Sequence, residues 1–277
     1  MNITALIRAL VPRPIRIWLR APAKSFRYLR DHLFFRLGRA TTAHVRPDWK
    51  PLCHPTAREH FEVFRWDPIQ SSELDAFIQH CPAGIQLLDL GAHYGFFALA
   101  ALHYGGPQAR VICVEASSSA SAILMATLQV NRFTDRVRLM NVAVGDADGE
   151  LAMLTTGPLG GDYFVVPSEQ RSDTVLVKKR SLASILAETG FRPTHIKMDI
   201  ESFEFEVIQS GLATLRELHP VLFLELHGTP LVARGKHPMD VLRMLRDAGY
   251  THFTLGEKEL TPEMMAASDY NCRMICW

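Results

Sequence analysis

The stretch that decides the fold is residues 85–99, which read IQLLDLGAHYGFFAL. It begins with an apolar run of the kind found in strands buried in parallel sheets, and Asp89 lies near the end of that run. Gly91 and Gly95 follow, and an apolar pattern after them indicates a helix. Because glycine has no Cβ, its main chain can lie close to a ligand, and a helix N-terminus attracts negative charge. The stretch therefore predicts a strand, a cofactor-binding turn and a helix.

The spacing within this turn distinguishes between two classes of cofactor. It is Asp-x-Gly-x-x-x-Gly, whereas the dinucleotide fingerprint is Gly-x-Gly-x-x-Gly, and Asp89 stands where that fingerprint has its first glycine. A carboxylate there repels a pyrophosphate but attracts an ammonium group, and the helix N-terminus can bind a carboxylate. S-adenosylmethionine (SAM) has both groups on its amino-acid end. The turn therefore favours SAM over a dinucleotide.

A second acid follows the next predicted strand. Residues 110–114 (RVICV) are predicted to form a strand, and Glu115 comes directly after it, 20 residues beyond Gly95. An acid at the tip of the second strand commonly binds the two ribose hydroxyls of a nucleoside. Together the two acids indicate a cofactor that contains a nucleoside.

The composition is typical of a soluble globular protein. Of the 277 residues, 48% are hydrophobic and 21% are charged. The five cysteines form no CxxC pair, which favours reduced thiols in a reducing compartment over disulfides or a zinc site. We therefore expect a cytoplasmic protein.

Charge is distributed unevenly along the chain. Residues 1–40 contain nine lysine or arginine residues and one acid, so the remainder carries a net charge of −7 although the whole chain carries +1. Apolar residues alternate with the basic ones, but no apolar run is long enough to span a bilayer, and no signal-peptide core is continuous. We predict that residues 1–50 form a basic amphipathic helical extension.

Three roles remain open for this extension. It could be a helical arm that packs on the acidic body of the protein, or it could contact an anionic membrane surface peripherally through residues 1–40. Binding to nucleic acid is the third, and it is disfavoured because an acidic body repels a phosphate backbone. We therefore expect no nucleic-acid partner.

The rest of the chain alternates between predicted strands and helices. Residues 51–84 are a lead-in segment with one short helix over 73–80, and residues 85–277 are the cofactor-binding domain, with an inserted hairpin at 149–180. The alternation predicts an α/β fold, a mostly parallel seven-stranded sheet with one antiparallel edge strand and helices on both faces. The predicted strands are 85–90, 110–115, 137–144, 194–200, 221–226, 251–255 and 271–277.

Further candidate residues follow the later strands, where sheets of this kind bind ligands. Asp199 lies at the end of the fourth predicted strand and Glu201 directly follows it, and His227 comes after the fifth. Glu204 and Glu206 are expected on a solvated face of the next helix.

Five segments of the chain, within residues 84–230, resemble the FkbM-type SAM-dependent methyltransferases. The segments are LLDLGAHYGFFALAA (87–101), VICVEAS (111–117), NVAVGDADGE (141–150), HIKMDIESFEFEVIQSG (195–211) and PVLFLELHG (220–228). The resemblance implies a class I methyltransferase (Rossmann-like) sheet, SAM as the methyl donor, and O-methylation of a hydroxyl on a small molecule, sugar or glycan.

The resemblance also implies a set of cofactor-binding residues. They are Asp89, Gly91, Ala92, His93, Gly95, Glu115, Ala116, Val142, Ala143 and Asp199. Within this set, Asp89 would bind the methionine part of SAM together with the two glycines, Glu115 would hold the ribose, and Val142 and Ala143 would border the adenine. Asp199 and Glu201 would line the face on which the methyl group is transferred.

This chain departs from the usual family pattern at three positions. His93 stands where the family usually has Asn, Ser202 where it has Gly, and Ala183 where it has Asp. If these changes have removed the chemistry, the chain would be a non-catalytic SAM-binding module, which is the main alternative. A nucleic-acid methyltransferase and an NAD-dependent dehydrogenase are the others, the latter disfavoured by the glycine spacing.

Methyl transfer to a hydroxyl requires alignment of the reacting atoms, exclusion of water and a nearby base. We expect His227 or Glu201 to be that base, with Asp199 positioning the cofactor or the acceptor. A carboxylate pair could also hold a divalent cation. The sequence offers no evident third ligand, however, so no metal is expected.

Overall fold

The computed structural model describes residues 22–155, 163–165, 174–255, 258–260 and 272–277. The strands are β1 (Thr41–Thr42), β2 (Leu52–Cys53), β3 (Gln86–Leu90), β4 (Arg110–Val114), β5 (Val137–Met140), β6 (Ala143–Gly145), β7 (Gly149–Thr155), β8 (Tyr163–Val165), β9 (Thr174–Ser181), β10 (His195–Met198), β11 (Val221–Leu226), β12 (Phe253–Leu255), β13 (Lys258–Glu259) and β14 (Cys272–Cys276). The α-helices are α1 (Pro22–Arg36), α2 (Arg58–Trp66), α3 (Pro68–Gln79), α4 (Phe96–Tyr104), α5 (Ser118–Val130), α6 (Leu182–Thr189), α7 (Glu204–Leu218), α8 (Gly228–Ala233) and α9 (Pro238–Asp247).

The main sheet has the strand order β13-β12-β14-β11-β10-β3-β4-β5. Its central strands β11, β10, β3, β4 and β5 run parallel, which confirms the predicted α/β fold class. The sheet places β3 between β10 and β4, so the ends of these strands lie side by side. Ligands of open parallel sheets bind at such carboxyl ends.

The predicted antiparallel edge strand is wrong in its position. β14 is antiparallel, but it lies between β11 and β12, and β13 forms the edge of eight strands among the described residues. The reason lies in its side chains, because Cys272, Met274, Ile275 and Cys276 are all buried. A strand that is apolar on both faces needs a neighbour on each side and helices above and below.

Side chains that alternate along each strand face two separate cores. Leu88 and Leu90 belong to a core covered by α6, α7 and α9. Leu87 belongs to the core on the other side, which α2, α3, α4 and α5 cover. Because residues two apart share a face, Asp89 points into this second core, beneath the start of α4.

The lead-in segment contains more helix than we predicted. The expected helix over 73–80 is present as part of α3, which begins earlier because Asp67 accepts hydrogen bonds from the main-chain N–H groups of Ile69 and Gln70. The sequence analysis missed α2. Phe64 of α2 stacks on Phe96 of α4 with ring centroids 3.7 Å apart, so the lead-in packs directly against the start of the helix that follows the predicted cofactor-binding turn.

Helix α1 packs one side on the body and leaves apolar side chains on the other. Asp31 is buried, and the ring of His32 contacts that of His54 with centroids 4.9 Å apart. Phe26, Leu29 and Leu33 are exposed. No helix of the described ranges is both long and apolar enough to cross a membrane. Residues 1–21 lie outside the described residues, and peripheral membrane contact stays a prediction.

The insert forms a second, smaller sheet beside the first. β7 and β9 pair antiparallel, as expected for a hairpin, and β6 and β8 complete the strand order β6-β9-β7-β8. Residues 156–162 and 166–173 of the predicted hairpin lie outside the described residues. Leu151 and Met153 of β7 line a cavity at the edge of the main sheet.

Candidate active site

The turn between β3 and α4 approaches the loop after β10 very closely. Gly91 has a φ of 82°, in the left-handed region that favours glycine, and a Cβ there would overlap the carbonyl oxygen of Asp199. The main-chain N–H of Asp199 donates to the carbonyl of Leu90 over 3.0 Å, which continues the ladder to this point. The two segments can meet only because residue 91 has no side chain.

Asp89 lies below this turn and is 2% exposed. Its Oδ2 atom is buried and has no hydrogen-bond partner. Burial raises the pKa of Asp89 to about 7, although the positive charge of Lys197 opposes the rise. A buried carboxylate oxygen without a partner costs free energy unless a ligand satisfies it, and an ammonium group would do so.

Glu115 ties the turn to the end of β4. Its Oε2 accepts from the main-chain N–H of His93 over 2.7 Å, and its Oε1 accepts from that of Ser117 over 2.7 Å. Burial raises the pKa of Glu115 to about 7. Each carboxylate oxygen can accept a second hydrogen bond, so the predicted contact with ribose hydroxyls is compatible with both existing bonds.

The predicted cofactor-binding residues line two adjoining cavities. The first is lined by Gly91, His93, Glu115, Ala116, Val142, Ala143, Asp199 and Glu201, with Leu151, Met153 and Phe203 among its apolar walls. The second contains Asp89, Ala92 and Lys197, and it shares Gly91, His93 and Asp199 with the first. The two cavities thus suit the nucleoside and amino-acid ends of one ligand.

One predicted binding residue, Gly95, lines neither cavity. It precedes α4 with a φ of 83°, and a Cβ on it would lie 2.9 Å from Cγ of Leu124. A glycine is needed at position 95 because α5 packs closely against it and because its φ is positive.

The predicted catalytic residues come together at the carboxyl ends of β10 and β11. Nε2 of His227 lies 3.7 Å from Oδ1 of Asp199 and 3.5 Å from Oε2 of Glu201. One donor atom from each of the three residues can be chosen so that all lie within 4.8 Å of one another. Such a group could hold a metal ion, and its third member is the ligand that the sequence analysis did not find.

Glu204 supports this cluster from below. It is fully buried, and its Oε1 accepts a hydrogen bond from Nδ1 of His227 over 2.8 Å. The same oxygen accepts from the main-chain N–H groups of Ser202, over 3.1 Å, and Ile200, over 3.4 Å. The prediction of a solvated face is therefore wrong for Glu204, because the first turn of α7 points into the protein.

Glu206, two residues further along α7, is half-buried and pairs with Arg234 over 2.9 Å. The guanidinium of Arg234 also donates to the main-chain carbonyl of Ser202. Nothing in the sequence pattern separates Glu204 from Glu206, so sequence reasoning alone could not have assigned the first to the site.

The charges of the cluster act strongly on one another. Burial disfavours a charged His227, but the hydrogen bond to Glu204 and the charges of three carboxylates outweigh it and raise the pKa of His227 to about 9. Burial raises the pKa of Glu201 to about 7. Burial also opposes the charge of Asp199, but Lys197 and His227 outweigh it, and the pKa of Asp199 is lowered.

A second buried charge network lies beside Asp199, and the sequence analysis missed it. Nζ of Lys197 lies 3.4 Å from Glu73 and 3.7 Å from Asp199, while Arg273 pairs with Glu225 over 2.8 Å and with Glu73 over 3.2 Å. The signal that could have found it is a lysine in the middle of an apolar parallel strand, since a buried charge needs a partner.

One family model matches a large part of this chain. The family model of the methyltransferase FkbM domain matches residues 89–251, which is more than half of the chain. The comparison with curated proteins found no match.

Several solved structures are similar to this chain at low identity. Methyltransferase FkbM from Methylobacillus flagellatus KT is 18% identical, with 70% of this chain and 43% of that chain covered and a TM-score of 0.45. The chain thus spans less than half the length of that protein. A precorrin-6y C5,15-methyltransferase from Geobacter metallireducens is 10% identical over 75% of this chain and 86% of that chain, with a TM-score of 0.42.

A structure described as a putative rRNA-methylase from Clostridium thermocellum is 12% identical over 75% of this chain and 93% of that chain, with a TM-score of 0.45. At such identities, with TM-scores below 0.5, none of these likenesses carries an argument about the acceptor. The family match is of another kind, because it includes both the cofactor-binding turn and the residues after β10 and β11. The chain belongs to the FkbM family of SAM-dependent methyltransferases.

Proposed function

We propose that this protein transfers the methyl group of SAM to a hydroxyl of a small molecule, sugar or glycan. The observation that supports this proposal is the cluster of Asp199, Glu201 and His227 at the rim of the SAM cleft. Asp199 lines both cavities and Glu201 lines the first, so acidic groups meet the place where the two ends of the cofactor would join.

The residues present fit SAM. The unpartnered Oδ2 of Asp89 suits the ammonium group, the bare main chain at Gly91 leaves room for the ligand, and Glu115 retains acceptor capacity for the ribose. When bound, SAM supplies a methyl group that its sulfonium centre activates for displacement. The apolar side chains of Val142, Leu151 and other wall residues exclude water around the nucleoside.

Glu201 is the group in this cluster best placed to accept the hydroxyl proton. Its side chain is 37% exposed and faces the cleft, whereas His227 is buried and lines neither cavity. A hydroxyl has a high pKa, so a carboxylate within hydrogen-bond reach lowers the barrier to its attack. Asp199 orients the acceptor, and His227 holds the two carboxylates in place.

The position of Ala183 supports catalysis over a non-catalytic binding module. Ala183 is exposed on α6 and lines neither cavity, so the acid that the family usually has there is not missing from the cleft of this protein. The net charge of −7 outside residues 1–40 continues to disfavour a nucleic-acid acceptor.

Calorimetry with SAM and with its demethylated product tests the cofactor assignment. We expect Asp89→Asn to weaken SAM binding by about 30-fold, since the bond between ammonium and carboxylate is charge-assisted. Asp135→Asn, which removes an exposed carboxylate outside both cavities, is the matched control and should bind like wild type. If the purified protein binds neither compound, the proposal is wrong.

Release of the demethylated product across a panel of hydroxylated acceptors tests the reaction. We expect Glu201→Gln to lower kcat by about 100-fold with little change in SAM affinity. A variant that turns over at the wild-type rate would remove Glu201 from the proposed mechanism.

A further inference from the structure

The geometry of the cluster formed by Asp199, Glu201 and His227 supports an inference that goes beyond methyl transfer. Nε2 of His227 is 3.5 Å from Glu201 and 3.7 Å from Asp199, which is too long for good hydrogen bonds. Two ligands of one metal ion, each about 2.1 Å from it, lie roughly 3.0–3.6 Å apart. The two separations from Nε2 of His227 are close to this range, and one ligand atom from each of the three side chains lies within 4.8 Å of the others.

The ring of His227 is oriented as metal-binding imidazoles are. Its Nδ1 donates to the buried Glu204 over 2.8 Å, and this bond leaves Nε2 directed at Asp199 and Glu201. Histidines that bind metals almost always donate their other ring N–H to a carboxylate or carbonyl, which fixes the tautomer. His227 is 7% exposed, so its Nε2 is presented to the two carboxylates and not to bulk solvent.

The loop that carries Glu201 has a backbone conformation that is unfavourable for its residues. Glu201 and Ser202 have φ values of 54° and 85°, a left-handed conformation that residues other than glycine rarely adopt. Glu204 accepts the main-chain N–H of Ser202 over 3.1 Å, so a single carboxylate supports both the strained loop and the imidazole. Strain of this kind tends to occur at functional sites.

The cluster is also open on the side of the cleft. The side chains of Asp199 and Glu201 are 34% and 37% exposed, and both line the first cavity. An ion bound by three protein ligands keeps positions for water or an acceptor oxygen. One imidazole with two carboxylates suits ions such as Mn²⁺ better than Ca²⁺, which prefers a shell made of oxygen atoms.

We propose that Asp199, Glu201 and His227 form a binding site for a divalent transition-metal ion, which holds the oxygen of the methyl acceptor at the rim of the cleft. This inference deepens the proposed function by adding an ion to the same site. From the sequence, only the two carboxylates were considered as ligands of a cation. The third ligand, His227, directly follows the neighbouring strand β11.

Electron paramagnetic resonance of Mn²⁺ tests the site without any turnover. The full chain, treated with a chelator and dialysed, is titrated with MnCl₂, and the signal of the free ion reports binding. We expect one site per chain, with affinity lowered about tenfold or more in Asp199→Asn, Glu201→Gln and His227→Gln, and about tenfold in Glu204→Gln. Glu206→Gln, on the same helix but paired with Arg234, is the matched control and should bind like wild type.

A second signature identifies the imidazole. Electron spin-echo modulation of the Mn²⁺ complex should show coupling to a nitrogen nucleus in wild type and lose it in His227→Gln. Absence of a Mn²⁺ site would overturn the inference, and so would a site without nitrogen coupling. In that case His227 would be a protonated partner of three carboxylates and nothing more.

The same preparations separate this inference from the proposed function. SAM calorimetry on the chelator-treated protein reports the cofactor site independently of the ion. If SAM binds and Mn²⁺ does not, the proposed methyl transfer stands and the metal site is wrong. If Mn²⁺ binds with nitrogen coupling but SAM does not, the metal site stands and the proposed function is wrong.

Discussion

The two loops that meet at Gly91 reach the cleft by different means. In the turn after β3, three residues have a positive φ: Gly91 and Gly95, for which this conformation costs little, and His93, with a φ of 48°. In the loop after β10, Glu201 and Ser202 occupy the same region although neither is glycine. The first conformation is encoded largely by local glycines, whereas the second depends on the residues that surround it.

The second loop is supported by one residue in particular, Glu204. A left-handed residue other than glycine costs about 1–2 kcal/mol, so Glu201 and Ser202 together oppose folding by a few kcal/mol. Glu204 offsets this cost with hydrogen bonds from Ile200, Ser202 and His227. The first turn is therefore shaped mainly by two glycines, with Glu115 holding the main chain of His93, whereas the second loop has no glycine and depends on Glu204.

The largest expected effect comes from Gly91→Ala. The new Cβ would overlap the carbonyl oxygen of Asp199, so one of the two loops must move, and we expect the free energy of unfolding to fall by more than about 3 kcal/mol. Gly106→Ala is the matched control, because Gly106 also has a left-handed φ, of 72°, but a Cβ there meets nothing within 4 Å. That control should lose only about 1 kcal/mol. Urea unfolding measures both, and equal losses would contradict the contact between the loops.

The next largest effect is expected when the carboxylate that supports the second loop is removed. Glu204→Ala leaves two buried donors and one partly buried donor without an acceptor, and we expect a loss of about 3 kcal/mol in the free energy of unfolding. Glu204→Gln retains an amide oxygen at the same position and should lose about half as much. If both variants unfold at the same urea concentration as wild type, Glu204 does not support the loop.

The same difference explains how much could be predicted from the sequence. The turn at Asp89 to Gly95, the acid at Glu115 and the parallel sheet follow from local patterns, and the structure contains all three. Glu204 was assigned to the wrong environment because its role depends on His227, which lies 23 residues away in another element. The position of β14 within the sheet likewise depends on which neighbours its buried side chains find, and no local pattern encodes that choice.

The third effect tests the charge of the first turn. The pKa of Asp89 is raised to about 7, so its carboxylate takes up a proton as the pH falls through neutrality, and an ammonium group then loses its partner. Lys197 and Asp199 also act on this group, in opposite directions. We expect SAM affinity to fall about tenfold from pH 8 to pH 6.

Calorimetry across this pH range, with Asp89→Asn as the comparison, measures the contribution of that one group. Glu115 has a pKa of about 7 as well and adds a dependence of its own, so the difference between the two proteins is the diagnostic quantity. Binding to wild type should depend more steeply on pH than binding to Asp89→Asn. Parallel curves would show that Asp89 does not meet the ammonium group as a carboxylate.

The smallest effect should be a gain, and it sharpens the comparison most directly. Ser202→Gly places in the second loop the residue that the family usually has there, and both main-chain hydrogen bonds of residue 202, to Glu204 and from Arg234, are retained. Relief of the left-handed φ stabilises the fold, while the greater freedom of glycine in the unfolded chain removes part of the gain, so we expect a net increase of about 0.5–1 kcal/mol. Ser210→Gly, at an exposed position of α7, is the matched control and should lose a similar amount, because glycine is unfavourable inside a helix. Urea unfolding measures the change in the free energy of unfolding for both variants. A gain in Ser202→Gly with a loss in Ser210→Gly would show that the second loop is strained because it has no glycine. A loss in both variants would show that the serine side chain itself stabilises the loop.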